Sequence, residues 1–154
     1  LIRNERDPGV HYRVYSYEGW YAYISSLENY YACSMKLLTQ EARDGLFGVR
    51  NRPVLTKVRN SPPTRYSAGS DVTNSVIADG CVIEGKVENC ILFRGVRIGR
   101  GAVIRNSILM QNTYVGSDVR LDCVITDKDV VIRDGRRLSG CEKLPYFIGK
   151  GGRL

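Results

Sequence analysis

The sequence predicts a mainly β protein: a parallel β-helix of hexapeptide-type repeats, preceded by a short strand–helix segment. Three observations carry this. Four similar segments start at Asn74, Asn89, Asn106 and Asp122, at spacings of 15, 17 and 16 residues. They are rich in Val and Ile, with Gly, Asn and Asp between them, which is the composition of short strands and turns. A period near 16 is also too short for helical repeats, which need about 33 residues per unit.

The elements follow in chain order. "HYRVYSYEGWY" alternates aromatics at Tyr15 and Tyr17, as a strand would. Ser25-Ser26-Leu27-Glu28 reads as a capping box with Ser25 as N-cap and Glu28 at N3. Leu27, Tyr30, Tyr31, Met35 and Leu38 then recur at helical spacing, which predicts a helix over about 26–40. Its aromatic stripe is read as packing rather than as a ligand platform. "EARDGLFGVRNRPVLTKVRNSPPTRY" shows little periodicity and reads as a linker, with Ser61-Pro62-Pro63 favouring extended chain.

Each repeat carries three phases. "NSVIADG", "NCILFRG", "NSILMQN" and "DCVITDK" give Asn or Asp, then Ser or Cys, then two aliphatics. A second phase centres on Ile83, Ile98, Val115 and Ile132, and a third on Val87, Ile104 and Leu121. Six-residue steps link them, as from Ile77 to Ile83, Ile98 to Ile104 and Val115 to Leu121. Three strands of about five residues close one triangular coil, and stacking coils about 4.8 Å apart buries these aliphatics in a shared bore. Ile77, Ile83, Val87, Ile98, Ile104, Val115, Leu121 and Ile132 are the expected core.

Composition narrows the function classes. The chain has 154 residues and a net charge of +7, with 43% apolar and 25% charged residues. That fits one domain, or one domain and part of another. No stretch approaches the ~20 apolar residues of a membrane helix. The charged start "LIRNERDPGV" carries no signal peptide, and without an initiator Met it suggests a piece of a longer chain. The basic residues are scattered, in pairs at most at Arg136-Arg137, so nucleic acid is not the expected partner and small anions are. Five cysteines without a CxxC pair argue against zinc, and reduced thiols fit a cytoplasm. Cys90 and Cys123 take the slot held by Ser75 and Ser107, two coils apart and too far for a disulfide.

Candidate chemistry is sparse. His11 is the only histidine and lies ahead of the coils. A coil-borne general base, as in hexapeptide acyltransferases, and a three-His zinc site between coils both lose their essential group. Arg94, Arg97 and Arg100 fall near one corner and could gather a phosphate, although a solvated basic face is the plainer reading. Trp20, Tyr21 and Tyr23 could stack on a base, or pack against neighbouring chain.

"GWYAYISSLENYYACSMKLL", "PPTRY" and "NSVIADGCVIEGKVENCILFRGVRIGRGAVIRNSILM", in that order, resemble the C-terminal part of bacterial glucose-1-phosphate adenylyltransferase (ADP-glucose pyrophosphorylase). The resemblance covers about 12–150. It implies a left-handed β-helix behind a nucleotidyltransferase domain, in an oligomer that makes ADP-glucose from ATP and glucose 1-phosphate under allosteric control. It divides the chain into the end of the nucleotidyltransferase domain (1–50), a linker (51–70) and the β-helix domain (71–154). The Gly-rich loop and catalytic basic residues of that family fall outside the chain, so no catalytic residue and no cofactor are expected here; Mg²⁺ belongs to the family's catalytic domain. Tyr23 stands where active members carry a metal-binding Asp, and a neutral phenol is a poor Mg²⁺ ligand beside a carboxylate. The resemblance thus points to the non-catalytic, regulatory type of subunit; the alternative is an alignment shift, although no carboxylate lies between Gly19 and Leu27. It also implies Lys150 and Arg65 as candidate contacts for a sugar-phosphate or nucleotide effector. The implied partners are a catalytic subunit of the same enzyme or a second copy of the chain. A fully active sugar-nucleotide pyrophosphorylase, or a plain hexapeptide scaffold, are the other readings.

Overall fold

The computed structural model describes residues 13–48 and 53–154. His11 lies outside them. The described chain opens without regular structure over 13–24. The strand expected around Tyr15 and Tyr17 does not form. A strand needs a ladder partner, and 13–19 are exposed and pair with no other strand.

Two helices follow where one was expected: α1 (Leu27–Lys36) and α2 (Gln40–Phe47). The cap of α1 is Ser26, one residue later than the sequence suggests. Its Oγ accepts from Asn29 N at 3.0 Å, while Ser25 Oγ accepts from the Asn29 side chain at 2.9 Å. Glu28 then falls in the first turn, where its charge suits the helix dipole, but it does not close a capping box. The chain breaks at Leu37–Thr39 because Thr39 starts a new helix. Its Oγ1 accepts from Ala42 N and donates to Lys36 O. Arg43 donates to the carbonyls of Leu37 and Leu38, satisfying groups the end of α1 leaves open. Hence α2 occupies the start of the segment that reads as a linker.

The solenoid comes next, three strands to a coil. The first coil holds β1 (Arg65–Tyr66), β2 (Asp71–Thr73) and β3 (Val76–Ile77). The second holds β4 (Val82–Ile83), β5 (Lys86–Glu88) and β6 (Ile91–Leu92); the third β7 (Arg97–Ile98), β8 (Val103–Arg105) and β9 (Ile108–Leu109). The fourth holds β10 (Tyr114–Val115), β11 (Arg120–Asp122) and β12 (Val124–Thr126); the fifth β13 (Val131–Ile132), β14 (Arg137–Ser139) and β15 (Tyr146–Ile148). They stack into three five-stranded parallel sheets, β1-β4-β7-β10-β13, β2-β5-β8-β11-β14 and β3-β6-β9-β12-β15, here called the first, second and third faces. Because β1 pairs with β4, the solenoid begins at residue 65, within the segment read as a linker.

Register explains the core. Ile83, Ile98, Val115 and Ile132 sit above one another in the first face, and Val87, Ile104 and Leu121 in the second. All seven are at most 1% exposed, as the repeat predicts. Ile77 is half-buried because it lies in the end coil. Six large inward residues, Ile83, Leu92, Ile98, Ile104, Leu109 and Val115, have a second inward residue two positions earlier. Cys81, Cys90, Val96, Ala102, Ser107 and Thr113 fill that role and are 0–1% exposed. A narrow three-sided bore has room for one large side chain per strand and a small one at each corner. Leu154 packs across the far end of the bore.

One repeat is out of step with its sequence. "DCVITDK" looks like a copy starting at Asp122, yet Ile125 pairs with Ile108 and Thr126 with Leu109. The period here is therefore 17 residues. Cys123 takes the left-handed turn position of Asn106, with φ 52, and Val124 takes the inward corner slot. Cys90 does share the slot of Ser75 and Ser107; Cys123 does not. Thr126 then faces the bore in place of an aliphatic, and its hydroxyl meets that of Thr113 at 2.9 Å, so neither is left unpaired. All five cysteines are free.

Helix α1 lies against the third face. Ile91, Ile108 and Ile125 point away from the bore, yet are 0–9% exposed. They form a second apolar cluster with Tyr31 and Leu38, joined by Tyr30 and Met35. No helix among the described residues is long and apolar enough to cross a membrane.

Candidate functional site

With the third face covered by α1, the first and second faces are left open by the other described residues. Their outward columns decide what the solenoid can hold. On the first face, the register carries Arg65, Val82, Arg97, Tyr114 and Val131 in one column, with Arg153 bridged to Val131. Arg65 and Arg97 thus share a face but stand two coils apart.

The three predicted arginines do not converge. Arg94 lies at the corner before the first face, Arg97 on that face, and Arg100 at the corner after it. Arg94 is already engaged: its Nε meets Asp79 Oδ1 at 2.7 Å, and the guanidinium holds the Asp79 carboxyl below the usual carboxylate range. It lines a crevice of about 210 Å³ with Arg59, Ser61 and Asn112. Arg100 is exposed and 3.9 Å from Glu84. Lys150 is exposed in the turn after β15. Tyr21 and Tyr23 are 72% and 65% exposed, and Trp20 is half-buried against Gly45. Tyr23 thus lies on an exposed segment, and no group of three His, Cys, Asp or Glu comes together among the described residues.

Tyr31 is the polar hinge between the helices and the solenoid. Its hydroxyl donates to Asn106 O at 2.7 Å and lies 3.5 Å from Cys123 Sγ. Burial pushes its proton affinity up, and burial does the same to Cys81 and Cys123. Cys90 is pushed up to about 12 by the same cause. These are sequestered thiols, without the electropositive surroundings of a reactive cysteine.

The second face carries a cluster absent from the sequence-based expectations. A groove of about 280 Å³ is walled by Arg120 and Arg137 on one side and by Arg105, Asp122 and Ser139 on the other, over a floor of Val103, Leu121 and Leu138. Strand alternation puts Arg120 and Asp122 outward around inward Leu121, and Arg137 and Ser139 outward around Leu138. Arg105 Nε meets Glu88 at 3.3 Å, and Asp122 accepts from the Asn106 side chain at 2.9 Å. The signal was present as basic residues 15 to 17 apart, but it is legible only once the repeat register is fixed.

Residues 62–142 match the family of GlmU-like C-terminal hexapeptide domains. The chain is 44% identical over 137 residues to the glycogen biosynthesis protein GlgD of Bacillus subtilis (strain 168), which covers 89% of this chain and 40% of that protein. It is 47% identical over 118 residues to GlgD of Geobacillus stearothermophilus, covering 77% and 34%. Against the glucose-1-phosphate adenylyltransferase of Desulfitobacterium hafniense (strain DSM 10664 / DCB-2) it is 29% identical over 150 residues, covering 86% and 37%. The resemblance read from the residues is borne out. The chain spans well under half the length of the curated relatives it matches.

Proposed function

The chain belongs to the family of GlmU-like C-terminal hexapeptide domains, and from that premise we propose that it is the regulatory and assembly region of a glycogen-biosynthesis subunit related to glucose-1-phosphate adenylyltransferase, not catalytic by itself. One observation carries this reading. Identity is 44% and 47% to two glycogen biosynthesis proteins called GlgD, against 29% and 32% to two proteins named as the adenylyltransferase. Tyr23, where the resemblance calls for a metal-binding Asp, supports the same side. So does the architecture. A rigid tube with two open outward faces presents surface without moving parts, which suits holding neighbouring subunits.

In this reading the chain works in the cytoplasm, beside a catalytic subunit of the same enzyme or a second copy of itself. A sugar phosphate or nucleotide acts as effector, and Mg²⁺ belongs to the catalytic partner. The test is reconstitution. The protein that carries this chain, purified alone, forms no ADP-glucose from ATP and glucose 1-phosphate. Mixed with an adenylyltransferase subunit from the same cell, it co-elutes and changes the rate or its effector response severalfold. Turnover by the protein alone overturns the non-catalytic assignment. Separate elution with unchanged kinetics overturns the assembly role.

A further inference from the structure

We propose that the groove of Arg105, Arg120 and Arg137 on the second face is a binding site for a small phosphate monoester. The reason is a departure from the pairing that the second face keeps in its earlier coils, where Lys86 and Arg105 each meet a carboxylate. Four cations each stand over a carboxylate of the coil before: Lys86 on Asp71, Arg94 on Asp79, Arg100 on Glu84 and Arg105 on Glu88, at 2.7–3.9 Å. The two later cations of the Lys86 column depart from it. Arg120 stands over Val103, and Arg137 stands over Arg120.

Register partners in neighbouring strands lie about 4.8 Å apart, and like charges placed so are destabilising. No ion pair or hydrogen bond joins either side chain to another described residue. The nearby carboxylate of Asp122 is held by Asn106, and Arg105 is held by Glu88. Two guanidiniums thus face one groove with their forks uncommitted.

The ligand class follows from charge and shape. Planar guanidiniums favour bidentate oxyanions. Asp122 repels any anion that enters, so a single negative charge gains little. A phosphate monoester carries about −1.5 to −2 at pH 7 and offers three acceptor oxygens. The Ser139 hydroxyl, which otherwise makes only a long 3.3 Å contact with Gly140 O, can donate to one of them. Val103 and Leu138 leave an apolar floor for the carbon skeleton. The inference deepens the proposed function, in which a sugar phosphate acts as effector, and rests on that reading for the use of the site; its test reads binding and not assembly or turnover, so the two fail separately.

The protein is titrated calorimetrically at low salt with inorganic phosphate, glucose 6-phosphate and glucose. Saturable heats are expected from the first two and none from glucose. Arg120→Gln and Arg137→Gln each weaken binding about tenfold or more, and Arg120→Lys severalfold, since it keeps the charge and loses the fork. Asp122→Asn tightens binding a few-fold by removing the opposing charge. Lys128→Gln and Arg153→Gln, exposed and outside the groove, leave affinity within about twofold, and melting curves confirm that every variant is folded. The proposal is overturned by an absence of saturable binding, by equal losses from these two control variants, or by tighter binding of a short oligonucleotide than of glucose 6-phosphate.

Discussion

At Asn74, Asn89 and Asn106 the backbone turns left-handed, with φ of 41, 52 and 46. Asparagine enters this region more readily than most residues, and here the side chains repay it. Asn74 donates to Asn89, Asn89 to Asn106 and Asn106 to Asp122, coil to coil. The recurrent Asn was legible as a turn signal; the ladder was not, because it depends on register. The slot after it behaves alike whether Ser or Cys fills it. Ser75, Cys90 and Ser107 each donate to the carbonyl two residues back. Cys90→Ser therefore keeps the fold and costs about 1 kcal/mol or less. Its pH profile is more telling. Below pH 9, folded and unfolded chains both hold the Cys90 proton. From there to about 12 the unfolded chain releases it and the folded chain keeps it, so stability falls as pH rises. Melting temperatures across pH 8–11 should fall less steeply in Cys90→Ser than in the parent. An unchanged slope would mean the thiol is not sequestered.

The elements show where a local reading succeeds and where it stops. The helix at 27–36 was legible from its spacing, since Leu27, Tyr31, Met35 and Leu38 mark one face. The second helix was not, because its start rests on Thr39 capping Ala42 N, and Gly45 weakens its propensity. The strand at Tyr15 and Tyr17 failed for a different reason: alternation states which face would be buried, not whether a partner exists. The double aliphatics of the repeat held an unused clue. Two in a row on a strand put one outward, and an outward Ile needs a cover. Ile108 and Ile125 are covered by α1, whereas Val76, in the same column, is 38% exposed. Tyr31→Phe tests this docking. It removes the bond to Asn106 O and should cost about 1 kcal/mol in denaturant unfolding, with faster hydrogen exchange in α1 than in the coils. Equal exchange throughout would show that the helix does not depend on that bond.

At the scale of the molecule, stability resides in the bore. Ile98 is 1% exposed and stacked between Ile83 and Val115. Ile98→Asp places a charge there without a partner and should cost about 4 kcal/mol or more. Arg97→Asp, one residue away but outward, should change stability by about 0.5 kcal/mol or less. Thermal melts of the two decide it; equal losses would refute the inward assignment. By itself the sequence determined the solenoid, its period and the large inward aliphatics of the first and second faces, because a repeated fold repeats its burial pattern and that pattern is local. The tertiary structure alone decided the one-residue shift at Cys123, the covering of the third face and the gathering of three arginines in one groove. Those depend on which residues from different coils stand side by side, and a spacing that drifts between 15 and 17 does not state that until the strands have paired.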